Sequence, residues 1–536
     1  MMRRYSVCAA LAGLCLLPVL AVANSNEAQQ QVLQRVEKFA RSYDLNRQDK
    51  YHIDFYYSPL HAMAAYRELL LWIEQPDVPA AVRDEVMATI LAGMESVVRD
   101  SRAGPATGQE LLGIGYLRAL PRYSQEPDVA RPDSRIWRSD GMEPRTTPAA
   151  IGKSLSAKAL LLSRLPAAAP ERQWLQASLR REYDELSAQL LTLAPYGYMP
   201  EVVRREGNTW VVVDGRSRLF SQAALLRGLI ETEAALATLG ASAKDWRVQV
   251  QRSIDTLFAG LVRRHHDVEA GSVVDVHDPD KGRGDRVMLE DMVQWLEALA
   301  LMAQPSQPSA LRSRAQQLAR EQIQFLLRAE TGKEPPPRGY LVRKAVPLRA
   351  TVRSLEETLA ILSILQLAEQ FGVQDVGELP QLLSDRLEAD YWSAEAGLYR
   401  TAAGFTASAY DGHMFSLTLR WLRRQGNAEA MRRGELLLQG VWKQGGLLQC
   451  EPPQSGEPQS LEQALAQRGA VLAAEVAAVP AVEQGERIAA FVREIADQDG
   501  DTVPGCRFAA GAFGGAPVPV IQTSVRTPYP ARKNAQ

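Results

Sequence analysis

The chain has 536 residues, 46% hydrophobic and 23% charged, with a formal net charge of −2, six His and four Cys. That balance excludes a generally basic nucleic-acid binder. No Gly/Ser-rich or Pro-rich linker divides the chain before its C-terminal region, which points to one large body with appendages.

The N-terminus opens Met1-Met2-Arg3-Arg4, runs apolar from Val7 to Val22 and offers Ala21-Val22-Ala23 for cleavage, the pattern of a secretory signal peptide over 1–23. The run is short for a membrane span and is broken by Pro18. Losing Arg3 and Arg4 with the signal leaves a mature charge of −4. Nothing after residue 23 is long and apolar enough to span a membrane, so the expected product is soluble, in the periplasm or outside the cell. Cys8 and Cys15 leave with the signal. Cys450 and Cys506 remain, and in an oxidising compartment they are either one disulfide or two buried thiols.

A polar helix is expected within 24–50, from about Glu27 to Arg41. From there to about residue 445, a polar, turn-rich stretch repeatedly feeds a strongly apolar helix that turns into a more charged one. The apolar helices are expected to begin near 54, 148, 217, 286, 352 and 409, and their partners near 79, 171, 243, 309, 377 and 427. The spacing shortens from about 90 to about 55 residues, which is an architectural repeat and not an ankyrin-like one. Leu219–Leu239, the run after Arg286 and Leu355–Phe371 are apolar on nearly all sides. Trp246–His265 and the segment from Ser309 keep only a stripe. A helix apolar all round must be buried, whereas a striped one faces water. Gly240 and Gly372 stand just past helix ends, and Ser217, Ser242 and Ser309 are placed to cap helix starts. A long excursion from Ser101 to Pro148 reads as a functional loop or cap. β-prone runs such as Thr209–Val213 read as small hairpins decorating one end of the body. Beyond the body, 446–496 reads as a helical extension and 497–536 as a Gly/Pro-rich tail.

Buried helices surrounded by striped ones make an all-α, (α/α)6 toroid of about six hairpins. The segment Asp390-Tyr391-Trp392-Ser393-Ala394-Glu395-Ala396-Gly397-Leu398-Tyr399-Arg400, leading through Tyr410-Asp411-Gly412 into an apolar helix, resembles a loop of the six-hairpin (α/α)6-barrel glycosidases and related lyases and epimerases. The hairpin count agrees with that family over roughly 50–445. The resemblance implies a carbohydrate-active enzyme without a redox cofactor, its substrate an oligo- or polysaccharide. No cofactor is implied by any motif: there is no P-loop, no C-x-x-C-H and no G-x-S-x-G elbow.

In a toroid the loops entering the inner helices converge on one mouth. His52, Asp54 and Tyr57, then Trp210, Asp214 and Arg218, then Arg353 and Glu357, then Trp392, are the expected substrate-binding residues there. Glycoside hydrolysis needs one carboxyl to protonate the leaving oxygen and a second to activate water or attack carbon. Glu290 or Asp291 with Asp411 is the pair the pattern favours, because each opens a strongly apolar helix. Acids at helix starts are also favoured by unpaired amides and the helix dipole, which is the plain structural alternative. A rival chemistry is elimination on an acidic polysaccharide, with Tyr410 and His413, or Tyr57 and His52, as acid and base and Arg218 or Arg353 as clamp.

Asp275–Asp285 and Asp497–Asp501 are calcium-like strings, but both lack the distal acid: an EF-hand starting at Asp278 would need Glu where Leu289 stands. His265, His266 and His277 lack the spacing of a zinc motif, so no metal site is expected. A non-catalytic toroid that binds an envelope polymer, a peptide or a protein partner is the alternative function. The sequence sets no oligomeric state.

Overall fold

The computed structural model describes residues 59–100, 145–193, 195–207, 209–330, 337–348, 354–394, 397–400, 409–410, 412–439 and 447–448, with short helical pieces between 469 and 488. The expected signal peptide, the polar helix before residue 50, His52, Asp54, Tyr57, most of the 101–148 excursion, Arg353, Asp411, both remaining cysteines and the tail lie outside the described residues.

Six helical hairpins follow one another in chain order. Their inner helices are α1 (Pro59–Trp72), α3 (Pro148–Arg164), α5 (Leu219–Ala237), α7 (Leu289–Met302), α9 (Leu355–Ala368) and α11 (Gly412–Gln425). The outer partners are α2 (Ala80–Asp100), α4 (Glu171–Glu185), α6 (Lys244–His265), α8 (Ser309–Ala329), α10 (Leu379–Arg386) and α12 (Ala428–Leu437). Each inner helix packs on the inner helices before and after it, and α11 packs back on α1, so the inner set closes into a ring. The chain is an (α/α)6 toroid with minor β decorations.

The two helix classes differ because their burial differs. Helix α5 is buried on nearly every side, from Leu219 to Leu236, whereas α6 buries a single stripe through Trp246, Val250, Ile254, Leu257 and Leu261. Each fully buried Leu or Ile of such a stripe contributes about 1.5–3 kcal/mol relative to exposure. The tightest inner seam is between α3 and α5. A Cβ added at Gly152 would collide with the backbone of Ala224 and Leu225, and one added at Gly228 with the backbone of Gly152. Only glycine allows that approach.

Connections within hairpins are short, whereas those between hairpins are long and carry the strands, so the strands collect at the rim where the inner helices begin. There β1 (Arg145–Thr146), β2 (Val202–Glu206) and β3 (Thr209–Asp214) form one antiparallel sheet. Strand β4 (Ser217–Arg218) pairs Ser217 with His277 and Arg218 with Val276. Gly339–Leu341 pairs with Arg286–Met288 on one side and Val346–Leu348 on the other.

The expected serine caps are a correction. Ser217 lies in β4, where its hydroxyl pairs with His265 Nε2 at 2.9 Å, and Arg218 is the N-cap of α5. Ser242 donates to the Leu239 carbonyl, and Ser309 is the first residue of α8, with Pro308 at the cap. Side-chain caps come instead from Thr147, accepting from Ala150 N at 3.1 Å, and Asn427, accepting from Ala430 N at 2.8 Å. A hydroxyl already bonded elsewhere is not available to the helix amides.

Candidate functional site at the mouth of the ring

Charged side chains fill the centre of the ring. Arg67 of α1 donates to Glu231 of α5 at 2.5–3.2 Å and to its neighbour Glu68. Arg420 of α11 joins Glu68 at 3.0 Å to Glu297 of α7 at 2.6 Å, and Arg227 of α5 reaches Glu297 at 2.8 Å. Ser156 of α3 donates to Glu231. All of these side chains are buried. Taking an ion out of water costs several kcal/mol, so such a cluster persists only if every charge is answered. Burial pushes the Glu68 carboxyl up, but Arg420, Arg67 and Arg423 outweigh it and hold it well below the usual range. Glu297 is likewise lowered, with Arg420, Arg424 and Arg227 overcoming its burial.

Above this charged floor lies a small cavity of about 30 Å³ that opens toward the rim and to which all six inner helices contribute. Glu68, Arg227 and Arg420 form its base, with Glu290, Glu356 and Lys153 on its walls. Lys153 Nζ sits 5.3 Å from the centre of the Phe220 ring, which faces the same space. Glu290 opens α7 and Glu356 opens α9, the helices being adjacent in the ring.

Glu357, beside Glu356, is buried, and burial followed by the charge of Glu356 pushes its carboxyl up to about 7, with Glu290 adding to the effect. Arg338 opposes this from 3.5 Å, and among the described residues Glu357 Oε2 has no hydrogen-bond partner. Glu201, on the loop before β2, is also raised to about 7 by burial, although Ser221 Oγ donates to it at 2.9 Å. Asp291 is buried and well above the usual carboxylate range, through burial and then the charges of Glu290 and Asp275. It accepts from Met288 N at 3.1 Å and so caps α7.

Of the residues selected from sequence, Glu290 lines the cavity, whereas Asp291 and Glu357 stand in the helix turns beside it without lining it. The strand and loop residues are placed elsewhere. Trp210 is buried in its hairpin, its Nε1 donating to Glu185 at 2.7 Å. Asp214 is held by Arg216 at 2.5 Å, and Arg218 is exposed on β4. Trp392 pairs across its strand with Tyr399, and the Arg433 guanidinium lies 3.8 Å from its ring centre. Tyr410 lies in a two-residue strand and His413 in the first turn of α11, so their backbones belong to the same rim. Sequence reasoning missed Lys153, Phe220 and the charged floor as parts of the site. Isolated charges inside apolar helices, such as Arg67-Glu68 and Arg227, were the signal for the floor.

No protein-family model matches the chain, and no curated protein does. Among solved structures it is similar to a cellobiose 2-epimerase from Spirochaeta thermophila, at 13% identity and TM-score 0.46 over 76% of this chain and 98% of that one. A sugar epimerase from a ruminal bacterium matches at 11% and 0.47, over 74% and 98%. A D-mannose isomerase matches at 10% and 0.46, over 67% and 87%. The likeness is distant, and the toroid assignment rests on this chain's own closed ring of helices.

His265 and His266, near the rim, have structural partners. His265 bonds Ser217 and, through Nδ1, lies 2.9 Å from the Val274 carbonyl oxygen; burial lowers its pKa to about 3, so it is neutral. His266 Nε2 lies 3.0 Å from Glu321. Asp278 accepts the backbone N–H groups of Asp280 and Lys281, which makes its string a tight turn. Among the described residues, no group of three or more His, Cys, Asp or Glu is arranged to hold a metal ion.

Proposed function

We propose that the chain is a carbohydrate-active enzyme, of glycoside hydrolase or polysaccharide lyase type, working by general acid/base chemistry in the cavity at the mouth of the toroid. The observation that carries this reading is the convergence of Glu290 and Glu356 on one cavity lined by all six inner helices. Two carboxyls facing one space are the minimum equipment for delivering a proton to one oxygen and taking one elsewhere. Glu357 supports the pair as a positioning residue: it titrates near neutral pH behind them and sets the charge they experience. The Phe220 ring gives the cavity wall an apolar face beside the acids. The signal-peptide pattern supports a periplasmic or secreted location for this activity.

One observation favours the non-catalytic alternative. The deeper acids, Glu68, Glu231 and Glu297, are all consumed in ion pairs, as in a scaffold. Activity separates the two readings. Full-length mature protein is incubated with neutral and uronate-containing glycans, following new reducing ends and the ultraviolet absorbance of unsaturated uronates. Glu290→Gln and Glu356→Gln are each expected to lower turnover by roughly 10²–10⁴ with an unchanged circular dichroism spectrum. Saturable glycan binding without turnover by the wild type, or full activity in both variants, would overturn the enzyme assignment.

A further inference from the structure

A second cavity lies on the outer wall, between the end of α4 and the second half of α6, and shares no lining residue with the mouth cavity. It measures about 210 Å³. One wall comes from a π-helical turn, Leu186–Leu190, that continues α4 and places Ser187 and Leu191 against the space. Such turns insert a residue into a helix and are frequent at functional sites. The other wall comes from Arg252, Ser253, Thr256 and Arg264 of α6, and Tyr198 closes one end.

Arg264 is the unusual member. It is 6% exposed, its guanidinium carbon lies 4.4 Å from the centre of the Tyr198 ring, and among the described residues its Nε has no hydrogen-bond partner. Among the described residues no carboxylate pairs with it, whereas the buried arginines at the ring centre all meet glutamates. The acids on the same helices near these walls are engaged elsewhere: Asp184 is bound by Arg180, Glu185 by Trp210 and Asp255 by Gln251, and none of them lines the cavity. The electronegative end of α6 is also engaged, since Arg283 donates to the carbonyls of Arg264 and Arg263 at 3.0 and 2.6 Å. Burial accordingly lowers the guanidinium pKa to about 10. An unpaired buried cation is costly, and the cost is removed when an anion occupies the adjoining space.

We propose that this outer-wall cavity is an oxyanion-binding site in which Arg264, stacked on Tyr198, is the principal ligand, Arg252 supplies a second charge, and the hydroxyls of Ser253 and Thr256 complete the polar lining. Arg presents paired N–H donors that match carboxylate, phosphate and sulfate oxygens alike, so the shared chemistry is a planar or tetrahedral oxyanion. The site is separate from the mouth cavity and does not depend on its assignment.

The test is thermal unfolding of the full mature chain at constant ionic strength, titrated separately with inorganic phosphate, sulfate and glucuronate, with sodium chloride as control. At least one oxyanion is expected to raise Tm saturably beyond the chloride control, and the arm that does so identifies the class. Arg264→Met is expected to unfold at higher temperature than wild type without oxyanion and to lose the shift. Arg252→Glu, at an exposed position, places a carboxylate on the same cavity and is expected to do both as well. A Tm that stays with the chloride control in every arm overturns the site. So does a specific shift that survives in Arg252→Glu, which decides the matter should Arg264→Met fail to fold.

Discussion

Glu290 and Asp291 are neighbours in sequence with different employment. A helix turns about 100° per residue, so consecutive side chains leave it in different directions. Glu290 lines the axial cavity, while Asp291 folds back on the Met288 amide and is buried beneath the rim. The same division separates Glu356, on the cavity wall, from Glu357, buried behind it. Burial has a measurable consequence at Glu357. Its carboxyl rises from the ordinary 4.5 to about 7 on folding, so the folded state holds a proton that the unfolded state has released. The associated stability is present below pH 4.5 and is lost as pH rises through 7, with Glu201 acting in the same window and direction. His265 acts in the opposite sense: its folded pKa is depressed, so its contribution is present above pH 6.5 and falls away on acidification. The single variant isolates one group from this sum. Glu357→Gln is expected to gain on the order of 2 kcal/mol on the wild type between pH 5 and pH 8 in urea unfolding. Parallel stability profiles for the two proteins would count against a raised Glu357.

At the scale of elements, the seam between α3 and α5 is where backbone approach decides stability. Gly152 and Gly228 face each other so closely that one methyl group must push two inner helices apart. Gly228→Ala would improve helix propensity by about 1 kcal/mol on an exposed helix, but here the clash is with backbone and cannot be relieved by a rotamer change. A net loss of about 1–3 kcal/mol, read as a lowered Tm, is expected. A stabilised variant would show that the seam is looser than drawn. The elements were also the most legible level of the sequence. Inner helices expected to start near 148, 217, 286, 352 and 409 start at 148, 219, 289, 355 and 412, because all-round apolarity against a stripe reports burial directly. The serine caps were not legible. Capping depends on whether a hydroxyl is free, and the Ser217 hydroxyl belongs to a histidine 48 residues away.

For the whole molecule, closure of the ring converts six separate helix starts into one site. Arg420 on α11 meets Glu68 on α1 across 352 residues of sequence, and the cavity above them takes residues from every inner helix. That the inner-helix starts share one rim follows from hairpin order and was legible. Which of two adjacent acids faces inward was not, since it depends on the rotation of each helix about its own axis. Phe220 and Lys153 were invisible for the same reason, an aromatic and a lysine being ordinary at the start of any helix. We propose that the chain holds its substrate at the space between Glu290, Glu356, Phe220 and the Arg227–Arg420 floor. The most direct measurement is a crystal structure of the Glu290→Gln variant soaked with a saccharide that the wild type degrades. A sugar ring in contact with Glu356 and Phe220 is the predicted result; a saccharide bound only on the outer wall, with the axial cavity unvisited, would contradict it.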